Sequence, residues 1–291
     1  MNYGAASDVG LQRASNEDRY WADPERGLFL VVDGVGGHAA GQKAADVAVE
    51  EIRESLLHGE GDVEERVRNA IARANNRIFE HALETPEYRG MACVLTLAVV
   101  EDGEITIGHV GDSRLYLVWD GAMRKMTSDH SPVGEEEDAG ELTEEEAMRH
   151  PRRNEIFRDV GSYRHSAWDE DFIEIRRCRF RDDAAILLCS DGITDQVPAA
   201  RMREILEEYD GDAARVAARL VEASNLTGGK DNATALFVAG PNFRGRTGRT
   251  RAMLSTTRLR PARLLTGRMA FLAYGLLIGM LVWAVLRGVR G

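Results

Sequence analysis

The chain has 291 residues, 44% of them apolar, and a formal charge of −11 at pH 7; this suits one catalytic-sized domain plus an appendage. The charge is unevenly divided: residues 242–291 hold ten arginines and no acid, which leaves 27 basic against 48 acidic residues in 1–241, a net of −21. So acidic a domain repels nucleic acid and draws cations, which excludes a nucleic-acid-binding role.

Cys93, Cys178 and Cys189 have no CxxC spacing and lie in or beside apolar stretches, so they are expected to be reduced core residues of a cytoplasmic protein. The N-terminus, MNYGAASDVG, lacks a basic region followed by an apolar one, and no cleaved signal peptide is expected.

In chain order, LFLVVD (28–33) reads as a buried strand that hands Asp33 to a loop. After Gly41, Ala45, Ala48, Val49, Ile52 and Leu56 form one helical stripe, and Val63, Val67, Ala70, Ile71, Ala74 and Ile78 a second. Strands are predicted at 92–100, 104–110 and 114–119, an antiparallel meander with turns at 101–103 and near Gly111. The segment 128–166 is polar and long for a connection, which predicts a functional flap. Inside it Thr143 and Glu146 form a capping box that starts a short helix. Strands return at 172–175, 184–189 and 233–238, with helices at 199–208 and 212–224 between them. This is an α+β order, with helices covering sheet faces.

Residues 242–268 contain eight arginines with Gly and Pro punctuation and read as a flexible basic linker. Residues 269–286, MAFLAYGLLIGMLVWAVL, carry no charge and would span about 27 Å as a helix, close to a bilayer core. A single C-terminal transmembrane helix is expected, followed by a short tail at 287–291. The arginine excess before it places domain 1–241 in the cytoplasm.

The chemistry is carried by Asp residues beside Gly or Ser at the ends of apolar runs: RASNED (13–18), DGVGGH (33–38), GDSR (111–114), SDG (190–192) and Asp231-Asn232. Gathered at one end of the sheets, they make an oxygen-only cage, and oxygen ligands select Mg²⁺ or Mn²⁺ over zinc or copper. With 48 acids, most carboxylates are expected to be solvated, including those at 135–138, 144–146 and 182–183. Asp195 is read as a turn or cap residue.

The series RASNED, VVDGVGGHAAG, VGDSRLY, TSDHS, HPRRN, LLCSDGITD and GGKDNAT resembles, in order and over roughly Tyr3 to Ala239, the motifs of the metal-dependent Ser/Thr protein phosphatases (type 2C, PPM family) in their bacterial form. The resemblance implies a β-sandwich of two mainly antiparallel sheets flanked by helices, with two Mn²⁺ or Mg²⁺ ions and room for a third. Carried over, Asp33 would bridge the two ions and Gly34 would supply a carbonyl. Asp191 and Asp231 would bind the first ion, and Glu17 and Asp18 would serve the second. Asp112 would share a third ion with Asp191.

Arg13 is the expected phosphate fork, since guanidinium can pair with two phosphate oxygens. The implied partners are phosphorylated proteins, a Ser/Thr kinase that the enzyme opposes, and the lipid bilayer. The implied location is the bacterial cytoplasmic membrane.

Val35 stands where eukaryotic relatives have His and bacterial ones commonly Met, which leaves the leaving-group acid open between His38 and metal-bound water. Ala92-Cys93-Val94 replaces the usual Gly-Thr-Thr, which puts local packing in question. Two other readings are a phosphatase dedicated to one phosphoserine regulator in a partner-switching pathway and an inactive metal-binding scaffold at the membrane.

Overall fold

Alternation along the strand Leu28–Val35 sets the layers. Leu28, Leu30 and Val32 point to one apolar cluster, while Phe29 and Val31 point to another on the opposite side. A strand buried on both faces reads as an unbroken apolar run, which is how LFLVV appears in the sequence.

The computed structural model describes residues 1–36 and 39–245. The elements are β1 (Asn2–Asp8), β2 (Arg19–Asp23), β3 (Leu28–Val35), α1 (Ala39–His58), α2 (Val63–Glu84), β4 (Ala92–Glu101), β5 (Glu104–Val110), β6 (Arg114–Trp119) and β7 (Ala122–Lys125). They continue with α3 (Pro132–Asp138), α4 (Glu144–Met148), β8 (Glu174–Arg179), β9 (Ala185–Cys189), α5 (Asp191–Thr194), α6 (Ala199–Glu207), α7 (Ala213–Leu226) and β10 (Ala233–Ala239).

Two five-stranded sheets form, in the orders β1-β10-β9-β6-β7 and β2-β3-β4-β5-β8. Every strand pairing is antiparallel. The sheets face each other through Phe29, Val31, Ile107, Leu188 and Leu236. Ile52, Ile71 and Ile78 of α1 and α2 cover the second sheet, and Ile205, Val216 and Leu220 of α6 and α7 cover the first. Each fully buried side chain of this size contributes roughly 1.5–3 kcal/mol, so the four layers share one sequence logic: period 2 in strands, 3.6 in helices.

Asp62 caps α2 by accepting the Glu65 N–H, and the Thr143–Glu146 capping box forms at α4. Cys93 and Cys189 are buried and Cys178 is half-buried, all as free thiols. At the unusual Ala92-Cys93-Val94, Cys93 exchanges two backbone hydrogen bonds with Val160 (2.9 and 2.8 Å), so the flap's end closes against β4.

Five of these elements were not anticipated: β1, β2, β7, α3 and α5. The strand expected from Phe172 begins at Glu174; Phe172 and Ile173 are buried just ahead of it. Packing also continues past residue 241, because Phe243 is 3% exposed and its ring lies 5.5 Å from Tyr209 and 5.9 Å from Phe237. Among the described residues no helix is long and apolar enough to cross a membrane. The expected span at 269–286, and the linker beyond Gly245, lie outside the described residues.

Candidate metal centre

The antiparallel register brings the chemistry-bearing strand ends to common edges. Arg114 at the start of β6 pairs with Cys189 at the end of β9, and Ala233 at the start of β10 pairs with Asp8 at the end of β1. Asp112, Asp191 and Asp231 sit just outside these ends. In the other sheet, Asp33 and Gly34 close β3 opposite Val94 and Cys93. Arg13, Glu17, Asp33, Gly34, Asp112, Asp191 and Asp231 line one open cleft of about 660 Å³.

Asp18 lies behind that wall, 2% exposed. Its Oδ2 accepts the Ser190 hydroxyl at 2.7 Å, and Ser190 Oγ accepts the Thr234 N–H at 3.0 Å. Glu17 is placed by its backbone, whose N–H donates to Asn232 Oδ1 at 2.8 Å; Asn232 Nδ2 donates to the carbonyls of Val9 and Ser15. Asn232 therefore pins the RASNED loop to the entry of β10. Gly34 and Gly41 meet backbone to backbone, and a Cβ on Gly41 would overlap Glu17. Glycine alone allows α1 to start this close to the carboxylates.

Arg13 reaches across the cleft mouth, its Nη2 donating to Asp231 Oδ2 at 2.6 Å with a half-exposed side chain. That hydrogen bond is the main reason its pKa lies above the ordinary value. His38 lies outside the described residues. Asp195 caps the end of α5 through its backbone, and its carboxylate accepts Arg153 Nε at 2.6 Å.

The carboxylates do not suit one another's company. Burial, then the charges of Asp18 and Asp191, holds Asp33 well above the usual carboxylate range. Burial, then Asp112 and Asp195, does the same to Asp191. Burial, then Asp129 and Asp195, pushes Asp112 up to about 7. Asp18 is raised to about 6, chiefly by burial. Asp18 Oδ1 and Asp191 Oδ1 are also buried without a hydrogen-bond partner. Clustered carboxylates with orphaned oxygens carry a large desolvation penalty unless cations share them. An all-oxygen donor set therefore fits Mn²⁺ or Mg²⁺.

Some lining residues had no role assigned from sequence: Gly36 and Val94 border the cleft, as do Asn154 and Ile156 from the flap. Asn154 closes the HPRRN motif and Ile156 lies two residues beyond it, yet neither residue type announces a ligand. The acids at 135–138 are not uniformly solvated either, since Glu137 accepts Arg114 Nη2 at 2.7 Å and both side chains are largely buried.

A β-sandwich carrying an oxygen-only carboxylate cluster beside an exposed arginine defines a class, the metal-dependent phosphatases. Residues 12–223 match the family model described as Protein phosphatase 2C. The chain is 34% identical over 241 residues to the serine/threonine phosphatase Stp of Listeria innocua, covering 80% of this chain and 93% of that one. It is 32% identical to the protein phosphatase PhpP of Streptococcus pneumoniae, covering 82% and 97%. The solved serine/threonine phosphatase PstP of Mycobacterium tuberculosis superposes with a TM-score of 0.73 at 32% identity, over 82% of this chain and 98% of that one. A PstP catalytic domain solved with two manganese ions superposes at 0.71 and 30% identity, over 82% of this chain and 97% of that one. The chain belongs to the protein phosphatase 2C family, as a serine/threonine phosphatase of bacterial type.

Proposed function

We propose that the cleft hydrolyses phosphoserine and phosphothreonine on proteins, with Asp33, Gly34, Asp191 and Asp231 holding the principal ions, Glu17 and Asp18 supporting the second, and Asp112 sharing a third with Asp191. The observation that carries this reading is the convergence of Glu17, Asp33, Asp112, Asp191 and Asp231 on one open cleft, with Asp18 buried behind them and an orphaned buried oxygen on both Asp18 and Asp191. Two Mn²⁺ or Mg²⁺ ions bound there would lower the pKa of water and neutralise phosphoryl oxygens.

The chain's own groups do the rest. Arg13, half-exposed at the cleft mouth, exchanges its bond to Asp231 for the phosphate and orients it. Asn232 and Ser190 keep Glu17 and Asp18 in register, so the acidic wall does not collapse when the phosphate enters. The anionic wall would repel a phosphate without cations, which makes activity strictly metal-dependent. His38 and water remain the two donors for the leaving oxygen.

The test is Mn²⁺-dependent release of phosphate from a phosphothreonine peptide by the wild type and by Asp191→Asn. Near-background turnover is expected from the variant, because no His or Cys among the described residues that line the cleft can substitute as ligand. Turnover equal to the wild type would overturn the ligand assignment.

We further infer that residues 246–291 tether the enzyme to the cytoplasmic face of a bacterial membrane, where it opposes a Ser/Thr kinase. The uncharged run 269–286 and the eight arginines before it support this reading.

A further inference from the structure

His130 joins two parts of the molecule that the reaction needs together. Its backbone N–H donates to the Gly111 carbonyl at 2.7 Å, and its Nδ1 accepts the Gly111 N–H at 3.0 Å. This two-point clamp holds the peptide that immediately precedes Asp112. Gly111 has a φ of +109°, and a Cβ there would overlap Val94, so the clamped turn has little freedom to re-form differently. On its other side His130 faces the flap: its carbonyl accepts the Phe157 N–H at 3.0 Å, and the two rings lie 6.2 Å apart. Phe157 directly follows Ile156, which lines the cleft.

The hydrogen bonds also decide what His130 is not. Ligand atoms of His109, His130 and Glu174 lie within 4.8 Å of one another, the spacing of a metal site. Nδ1 of His130, however, is occupied as the acceptor of the Gly111 N–H, which leaves Nε2, and Arg158 Nη1 stands 3.5 Å from that atom, so a guanidinium charge opposes a cation there. Burial, then His109 and Arg158, lowers its pKa to about 3, which keeps the ring neutral and the Gly111 bond intact. The ring is a linker between two backbones, not a ligand.

We propose that His130 is a positioning residue that couples the flap to Asp112, so that docking of Phe157 against His130 sets the Gly111–Asp112 peptide and thereby the aim of the Asp112 carboxylate. This rests on the reading of Asp112 as a metal ligand. Asp112 lines both the main cleft and a small adjoining pocket that it shares with Asp191, so a small change in its aim redistributes a carboxylate between the two.

The test uses the full chain with Mn²⁺ as probe, read by calorimetry and by amide exchange at Gly111. Four variants are compared: Asp112→Asn, His130→Leu, His130→Asn and Phe157→Ala. Phe157 is 48% exposed, so its truncation leaves the fold standing even if His130→Leu does not fold. His130→Leu should weaken the same Mn²⁺ binding event that Asp112→Asn weakens, by about fivefold or more, and His130→Asn, which restores an acceptor near the Nδ1 position, should recover most of it. Phe157→Ala should weaken that event too and speed exchange at Gly111, although its own bonds are with His130.

If Asp112→Asn weakens Mn²⁺ binding while Phe157→Ala matches the wild type in both readouts, the coupling is overturned. Should Asp112→Asn leave the isotherm unchanged, the ligand reading of Asp112 has failed. Gly111 exchange then decides the coupling alone: faster in Phe157→Ala upholds it, unchanged overturns it.

Discussion

Arg13 and Asp231 illustrate how far a single side chain can be read. The arginine's placement at the cleft mouth follows from RASNED, but its 2.6 Å bond to Asp231 pairs two residues 218 positions apart, which no local pattern discloses. Arg13→Ala should lower kcat/KM on a phosphopeptide at least about tenfold, since a charged hydrogen bond contributes roughly 1.5–3 kcal/mol; an unchanged kcat/KM would exclude the phosphate role. Asp112 yields a different expectation. Its carboxyl is raised from 3.8 to about 7 by burial and by Asp129 and Asp195, so the metal-free fold takes up a proton that the unfolded chain does not hold. The resulting destabilisation is absent below the ordinary carboxylate pKa, grows as pH rises, and is complete above about 7, on the order of 4 kcal/mol if Asp112 acted alone. In chelator, Asp112→Asn should therefore gain Tm relative to the wild type between pH 5 and pH 8. A Tm difference independent of pH would contradict the raised pKa. The acids that gather at the cleft were legible as a set because each lies at or near the end of an apolar run beside Gly, Ser or Asn; Asn154, Ile156 and His130 were not, because their work is done through backbone contacts and placement.

Elements were legible in proportion to how much of their burial pattern is local. The runs of β3 and β4 and the stripes of α1 and α2 are set by apolar spacing, and α4 by its capping box. β1, NYGAASD, and β2, RYWAD, are short edge strands with mixed polarity. β1 exists because residues 2–8 pair with 233–239, a partner no window of sequence contains. α3, PVGEEED, looks like solvated acid until Arg114 enters. Arg114 donates to both oxygens of Asp129 at 2.9 and 3.0 Å through Nε and to Glu137 at 2.7 Å through Nη2, fastening the root of the flap to β6. Asp129 is only 5% exposed, so Arg114→Met strands a buried charge. The expected loss is about 3–5 kcal/mol by urea unfolding, as for other buried pairs broken on one side. Lys125 stands 3.7 Å from Asp129; a loss below about 1 kcal/mol would mean that lysine suffices as counter-ion.

At the scale of the whole molecule, the chain divides its tasks by charge. An acidic domain of net −21 precedes a tail with ten arginines, and the first gathers cations while the second, as proposed, holds to anionic lipid at about 1 kcal/mol per basic residue near the surface. Where the domain stops determines how to separate them. Phe243 is buried against Tyr209 and Phe237, so truncation after Gly240 should destabilise the domain by about 3–5 kcal/mol, the usual loss for a core Phe. Truncation after Gly245 keeps that ring and should leave stability and peptide hydrolysis unchanged. The two truncations thus distinguish a packing defect from a loss of attachment. In flotation with vesicles containing anionic lipid, the full chain is expected to float and to need detergent for release, whereas the form ending at Gly245 should stay at the bottom with full Mn²⁺-dependent turnover. If the full chain also stays at the bottom, or if the Gly245 form is inactive on peptides while folded, the tail serves the catalytic domain directly and the tether is refuted.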